Sequence, residues 1–85
     1  MELQYTDKFK KDYKKLPLAI QKKTSEQLKV LISDFSYPSL RVKKVKGHKD
    51  IFEASITMQY RFLFLFNSNM LTLLRVGLHD ILNKI

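Results

Sequence analysis

The chain has no cysteine and no tryptophan, and only two glycines and two prolines in its 85 residues. Without cysteine there are no disulfide staples and no thiolate metal sites, which fits a reducing, cytoplasmic setting. Two glycines are too few for a glycine-rich phosphate loop. His48 and His79 do not have the spacing of a zinc pair, and no serine or cysteine nucleophile motif is present. Neither a metal nor a cofactor is therefore expected. No run approaches the roughly 18 apolar residues of a spanning helix. The amino-terminal MELQYTDKFKKDYKK has no apolar signal core, so no membrane partner is expected. Acids are scarce too: eight Asp/Glu stand against sixteen Lys/Arg, a net charge of +8.

What is present is apolar side chains and positive charge. Hydrophobic residues make up 45% and aromatics 12%. That supports one folded domain over residues 1–85, with a single small core. All the cations except Arg61, Arg75 and Lys84 lie in residues 1–50. Such a bias predicts an anionic partner: nucleic acid, an acidic protein, or both.

Residues 51–80 organise the chain. They read as strand-like runs IFEASIT, YRFLFLF and MLTLLRVGLHD, joined by two short turns. Phe52, Ala54 and Ile56 make one face of the first run, with Glu53 and Ser55 on the other. Tyr60, Phe62, Phe64 and Phe66 oppose Arg61, Leu63 and Leu65 in the second. A two-residue loop at Met58-Gln59 would put Arg61 on the aromatic face. A three-residue loop from Thr57 to Gln59 pairs Ser55 with Arg61 and keeps that face together, so burial selects it. Asn67-Ser68-Asn69 is favourable turn chemistry. A three-residue loop there predicts that Phe62 pairs with Leu74 and Arg61 with Arg75. Like charges directly opposite repel. Either Glu53 bridges them as a structural ion pair, or the arginines await an anion such as a phosphate.

Upstream, Glu2 to Tyr5 reads as a short strand. Thr6 is a good N-cap with Asp7 in the first turn. Phe9, Tyr13 and Leu16 predict a helix over 7–16, whose other face carries Lys8, Lys10, Lys11, Lys14 and Lys15 as a solvated surface. Pro17 suits the start of a second helix over 18–35, with Ile20, Thr24, Leu28, Leu31 and Phe35 as its stripe. LRVKKVK predicts a strand over 40–46, bulged or ended near Lys43-Lys44, where Val45 falls out of phase. Strands follow over 51–57, 60–66 and 70–76. Gly77 allows a bend, and Asp80 caps a final turn over 81–85, with Ile81, Leu82 or Ile85 packing on the body. The expected fold is α+β: a helical hairpin on one face of a mostly antiparallel sheet of four to five strands. The face with Arg61 and Arg75 is expected to be an open cleft floor.

Cationic side chains, one carboxylate and one or two histidines suffice for cleavage of RNA by its own 2′-hydroxyl. The substrate supplies the nucleophile. The protein supplies an acid, a base and positive charge at the phosphoryl oxygens. Histidine, as a residue type, titrates close to neutrality and is the natural proton donor. The blander alternatives are that His79 is a surface residue before a helix cap and His48 a loop histidine.

The element order, with PSLRVKKVKG, IFEASI, YRFLF and RVGLHDIL, resembles the RelE/ParE superfamily of bacterial type II toxins. RVGLHDIL is similar to the ending of YafQ-like members. The resemblance implies a toxin that binds an acidic antitoxin, enters the ribosomal A site and cuts mRNA. ParE-type members instead poison DNA gyrase without being nucleases, and a basic RNA-binding module with no chemistry is a third possibility. The resemblance places Arg61 and Arg75 on the scissile phosphate and makes His79 the acid. Lys43, Lys44 and Lys46, flanked by Arg41, grip RNA backbone. RelE carries two lysines where this chain has Glu53 and Ser55, so Glu53 enters as the base by role and not by position.

Overall fold

The computed structural model describes residues 2–84, with the backbone alone for 82–84. Strand β1 (Glu2–Tyr5) leads into helices α1 (Asp7–Lys14) and α2 (Leu18–Ser33). A 3-10 turn over Pro38–Leu40 precedes β2 (Lys43–Lys44). Strands β3 (Ile51–Ser55), β4 (Tyr60–Asn67) and β5 (Met70–Leu78) follow, and a second 3-10 turn spans His79–Lys84. The sheet order is β1-β5-β4-β3-β2, with β1 parallel to β5 and the other pairs antiparallel. The α+β expectation holds, at five strands. Among the described residues no helix is long and apolar enough to cross a membrane.

Each helix forms for a readable reason. Thr6 caps α1: its hydroxyl accepts the Phe9 N–H at 3.0 Å and donates to the Leu74 carbonyl at 2.9 Å, tying the cap to β5. In α2, Thr24 is the polar member of the buried stripe. It is satisfied by donating to the Ile20 carbonyl at 2.7 Å. Gln27, also buried, donates to the Ser55 carbonyl at 2.9 Å and fastens α2 to the end of β3. Both helices end two residues earlier than the periodicity suggests. Leu16 and Phe35 still pack inward, and the Phe35 ring lies 5.4 Å from Phe64 and 5.0 Å from Phe66, centroid to centroid. The core joins Phe9, Leu28 and Leu31 to Ala54, Phe62, Phe64, Leu71, Leu73 and Val76. Burying a side chain of this size contributes about 1.5–3 kcal/mol.

Four expectations are corrected. The strand expected over 40–46 is only Lys43–Lys44, paired with Glu53 and Phe52. Leu40 is drawn fully into the core by the Pro38 turn, and Arg41 takes a left-handed conformation (φ 48°) behind it. The second hairpin loop is Ser68-Asn69, not three residues: Asn67 pairs with Met70, and both loop residues have positive φ (47° and 61°). That turn twists with the strands. A bulge at Leu74 then resets the register, so Phe62 opposes Val76, Leu63 opposes Arg75 and Arg61 opposes Gly77. Arg61 and Arg75 are not a cross-strand pair.

Gly77 does not bend the chain; it stays within β5. Its missing side chain makes room for Ile81, whose Cδ1 would lie 3.3 Å from a Cβ at Gly77. Last, the second face of the sheet is not an open floor. Leu63 is wholly buried there, Ile81 is buried, and the terminal 3-10 turn packs along β4 and β5. Ile81 is the one of the three proposed packing residues that can be placed; Leu82 and Ile85 lie outside the described side chains.

Candidate functional site

Arg61 is the centre of the candidate site. The first hairpin has the expected three-residue loop, closed by the Ile56 N–H donating to the Tyr60 carbonyl at 2.9 Å. That register pairs Ser55 with Arg61 and sets Glu53 and Arg61 on one face. Arg61 Nε donates to Glu53 Oε2 at 3.2 Å. Its Nη1 turns back to the loop and donates to the carbonyls of Thr57, Met58 (2.7 Å) and Tyr60 (3.2 Å). One guanidinium therefore pairs a carboxylate and holds the β3–β4 turn closed.

Glu53 lies behind this arginine with its side chain only 5% exposed. Its second oxygen, Oε1, is 3.8 Å from Lys43 Nζ. A buried carboxylate with two cationic partners is compensated. The ion pair expected from the sequence, Glu53 bridging Arg61 and Arg75, forms instead with Arg61 and Lys43, while Arg75 pairs with Asp12.

His79 is exposed and begins the terminal turn directly after β5. Arg61 and His79 line one open groove, flanked by the side chains of Met58 and Leu78. Leu78 and Asp80 also line a neighbouring groove that contains Arg75. Of the four residues expected to act together, Arg61 and His79 share a groove, Glu53 backs Arg61 from within, and Arg75 stands to one side.

Arg75 is held by Asp12 of α1. Its Nε is 2.7 Å from Oδ2 and its Nη2 is 3.0 Å from Oδ1, a bidentate pair. Asp12 Oδ2 also accepts the Val76 N–H at 3.2 Å, an edge donor beyond the end of β1. Burial alone would raise the Asp12 carboxyl. The hydrogen bonds from Arg75 and Val76, with the charges of Arg75 and Lys15, outweigh burial and hold it below the usual carboxylate value. The bond to Asp12 correspondingly raises Arg75. Asp12 is the residue the sequence reading missed. Its partners are 63 and 64 positions away, so no local spacing marks it.

The basic segment is exposed. Lys43 and Lys44 form β2, and Lys46 follows beside His48 and Lys49 around the Gly47 turn. Arg41 stands across Met58, with Nη1 3.8 Å from the Met58 sulfur. Among the described residues no cluster of His, Asp and Glu is placed to hold a metal ion.

No protein-family model matches the chain, and neither does any curated protein sequence. Solved structures do. A chain of the RelB–RelE antitoxin–toxin complex from Methanococcus jannaschii superposes with a TM-score of 0.79 at 19% identity, covering 95% of both chains. The YoeB/ParE toxin from Agrobacterium tumefaciens gives 0.77 at 16% identity, over 93% of this chain and 99% of that one. YafQ from Escherichia coli gives 0.76 at 18% identity, over 95% and 96%. The fold implied by the sequence resemblance is the one found: two helices on a mostly antiparallel five-stranded sheet, as in the RelE, YafQ and YoeB/ParE toxins.

Proposed function

We propose that the chain is the toxin of a toxin–antitoxin pair and an mRNA endoribonuclease that acts on the ribosome. The observation that carries the reading is the groove shared by Arg61 and His79, with Glu53 locked behind the arginine, on a RelE-like fold. In this scheme the scissile phosphate enters the groove against Arg61. The 2′-hydroxyl attacks that phosphate, and His79 protonates the leaving 5′-oxygen. Arg61 stabilises the charge that grows on the non-bridging oxygens. Glu53 keeps Arg61 aimed, and accepts the 2′-hydroxyl proton once the phosphate has drawn the guanidinium away from it. Arg75, anchored by Asp12, adds positive potential from the adjoining groove. Arg41, Lys43, Lys44 and Lys46 hold the flanking backbone by charge. No metal or cofactor takes part.

The partner in the absence of ribosomes is an acidic antitoxin. A net charge of +8 and the exposed lysines of α1 and β2 favour it. Antitoxin–toxin complexes on this fold support the expectation.

A second reading has its own observation. Arg61 is engaged by Glu53 through Nε and by three carbonyls through Nη1, and Arg75 is clamped by Asp12. That favours a non-enzymatic toxin that works by binding, as a gyrase-directed protein of the ParE kind does. Primer extension on cellular mRNA after induction separates the two. Codon-positioned cuts support the nuclease. DNA-damage signalling with intact mRNA supports the gyrase reading, and neither response leaves a binding module.

A further inference from the structure

The groove of Arg61 and His79 has two apolar walls that the chemistry above does not use. Met58 is 73% exposed and Leu78 is 55% exposed, the most open large apolar side chains among the described residues after Leu18. Isolated exposed apolar residues are ordinary. These two are not isolated: one comes from the β3–β4 turn, the other from the end of β5, and both line the groove that carries the proposed acid and cation.

Met58 is also held in place. Its carbonyl accepts Arg61 Nη1 at 2.7 Å, and its sulfur sits 3.8 Å from Arg41 Nη1. The turn is fixed further by the Thr57 hydroxyl, which accepts the N–H of Gln59 and of Tyr60, both at 3.2 Å. A flexible thioether is thus presented on a fixed backbone, with Arg41 at its sulfur and Arg61 at its carbonyl. An apolar wall with cations close by suits one polymer repeat: charged phosphates with a flat base between them. Thioether and aliphatic groups pack favourably on aromatic faces.

We propose that Met58 and Leu78 form a clamp for one nucleobase of single-stranded RNA, seating the nucleotide whose phosphate meets Arg61. The clamp rests on the reading of this groove as an RNA site. It makes Met58 and Leu78 positioning residues that set which nucleotide is held, and leaves the chemistry to Arg61 and His79.

The test uses the full chain and a short RNA with a 2′-deoxy substitution at the cleavage position, so that it binds without being cut. Affinity is measured for this RNA and for the same strand with an abasic residue at one position at a time. Wild type is expected to lose about tenfold in affinity at a single position. The Met58→Ser/Leu78→Ser double variant is expected to bind the intact strand as weakly as wild type binds the abasic one, with no further loss. Met58→Leu is expected to restore discrimination, and melting temperatures are expected to stay together because both side chains are exposed.

Wild type that ignores the missing base, or a double variant that still senses it, overturns the clamp. So does a double variant that binds RNA normally but loses a co-expressed antitoxin, which would assign the patch to protein recognition. Cleavage on ribosomes is scored separately. Base sensing without cleavage leaves the clamp standing and removes the nuclease. Cleavage without base sensing does the reverse.

Discussion

Arg75 and Asp12 meet at 2.7 Å although 63 positions separate them. The contact ties the first helix to the last strand at the place where β1 has ended. Both side chains are largely enclosed, at 18% and 13% exposure. A bidentate charge-assisted pair of this kind is expensive to break from one side.

Asp12→Ala is therefore expected to cost about 1–3 kcal/mol of stability, since it takes the bidentate carboxylate from Arg75 and the acceptor from the Val76 N–H. Urea unfolding at neutral pH checks it. The pH dependence follows from the depressed carboxyl. Its folded-state value lies below the ordinary 3.8, so the unfolded chain binds the extra proton first. The pair's contribution is fully present above that ordinary value. It is lost as pH falls through the lower, folded-state value. Asp12→Asn is expected to flatten the acid limb of the stability curve in that window. An unchanged limb would show that the pair is not what acid breaks.

Glu53→Gln probes the other ion pair. The amide keeps the shape but loses the charge that faces Arg61 and Lys43. Arg61 also holds the β3–β4 turn, so a less firmly aimed guanidinium loosens that turn as well. A lower melting temperature is expected, with a fall in single-turnover cleavage of about 100-fold if Glu53 takes the proton. A lowered melting temperature with cleavage unchanged makes Glu53 purely structural and moves the base elsewhere.

The two hairpins show how far the sequence could be read. In the first, burial of Phe62 and Phe64 admits one loop length, and parity then fixes Glu53 beside Arg61. In the second, a three-residue loop would have put Thr72 on the core face with Met70 and Leu74. The chain instead buries Leu71, Leu73 and Val76. Their spacing of two and then three is the mark of a bulge, but Leu73 and Leu74 are the same residue type, so the sequence does not say which is buried. Parity carried across the whole strand hid it and produced the facing arginines. The Asp12 clamp could not be read at all, because helix periodicity reports which face is buried and not which strand edge lies beyond it. The Lys43–Lys44 strand was shortened by Leu40, whose burial overrides the alternation of LRVKKVK.

Lys44 and Lys46 are exposed and are expected to act through charge alone. Replacing both with alanine should weaken RNA binding across sequences and reduce the slope of log affinity against log salt by about 0.7 for each lysine that meets a phosphate of a single strand. Lys43→Ala is expected to do more, because it also uncovers one oxygen of Glu53. A salt slope equal to wild type in the double variant would remove the segment from the RNA path.

His79→Ala is the most direct test of the chemistry. The imidazole is exposed, so its removal is expected to leave the melting temperature in place. Loss of a positioned general acid is expected to lower single-turnover cleavage on ribosomes by about 100-fold or more. Arg61→Ala is expected to cost a similar order in cleavage through one lost charge-stabilising contact. It differs in a second readout. Arg61 pairs buried Glu53 and holds three carbonyls of the turn, so its removal is also expected to destabilise the fold, whereas the His79 variant should not. Rescue chemistry separates acid from architecture. A substrate with a 5′-thio leaving group needs no proton, so it should be cleaved by His79→Ala nearly as fast as by wild type. Arg61→Ala should stay slow on it. If His79→Ala cuts the natural message at the wild-type rate, the acid is not His79, and the binding toxin becomes the better account of this groove.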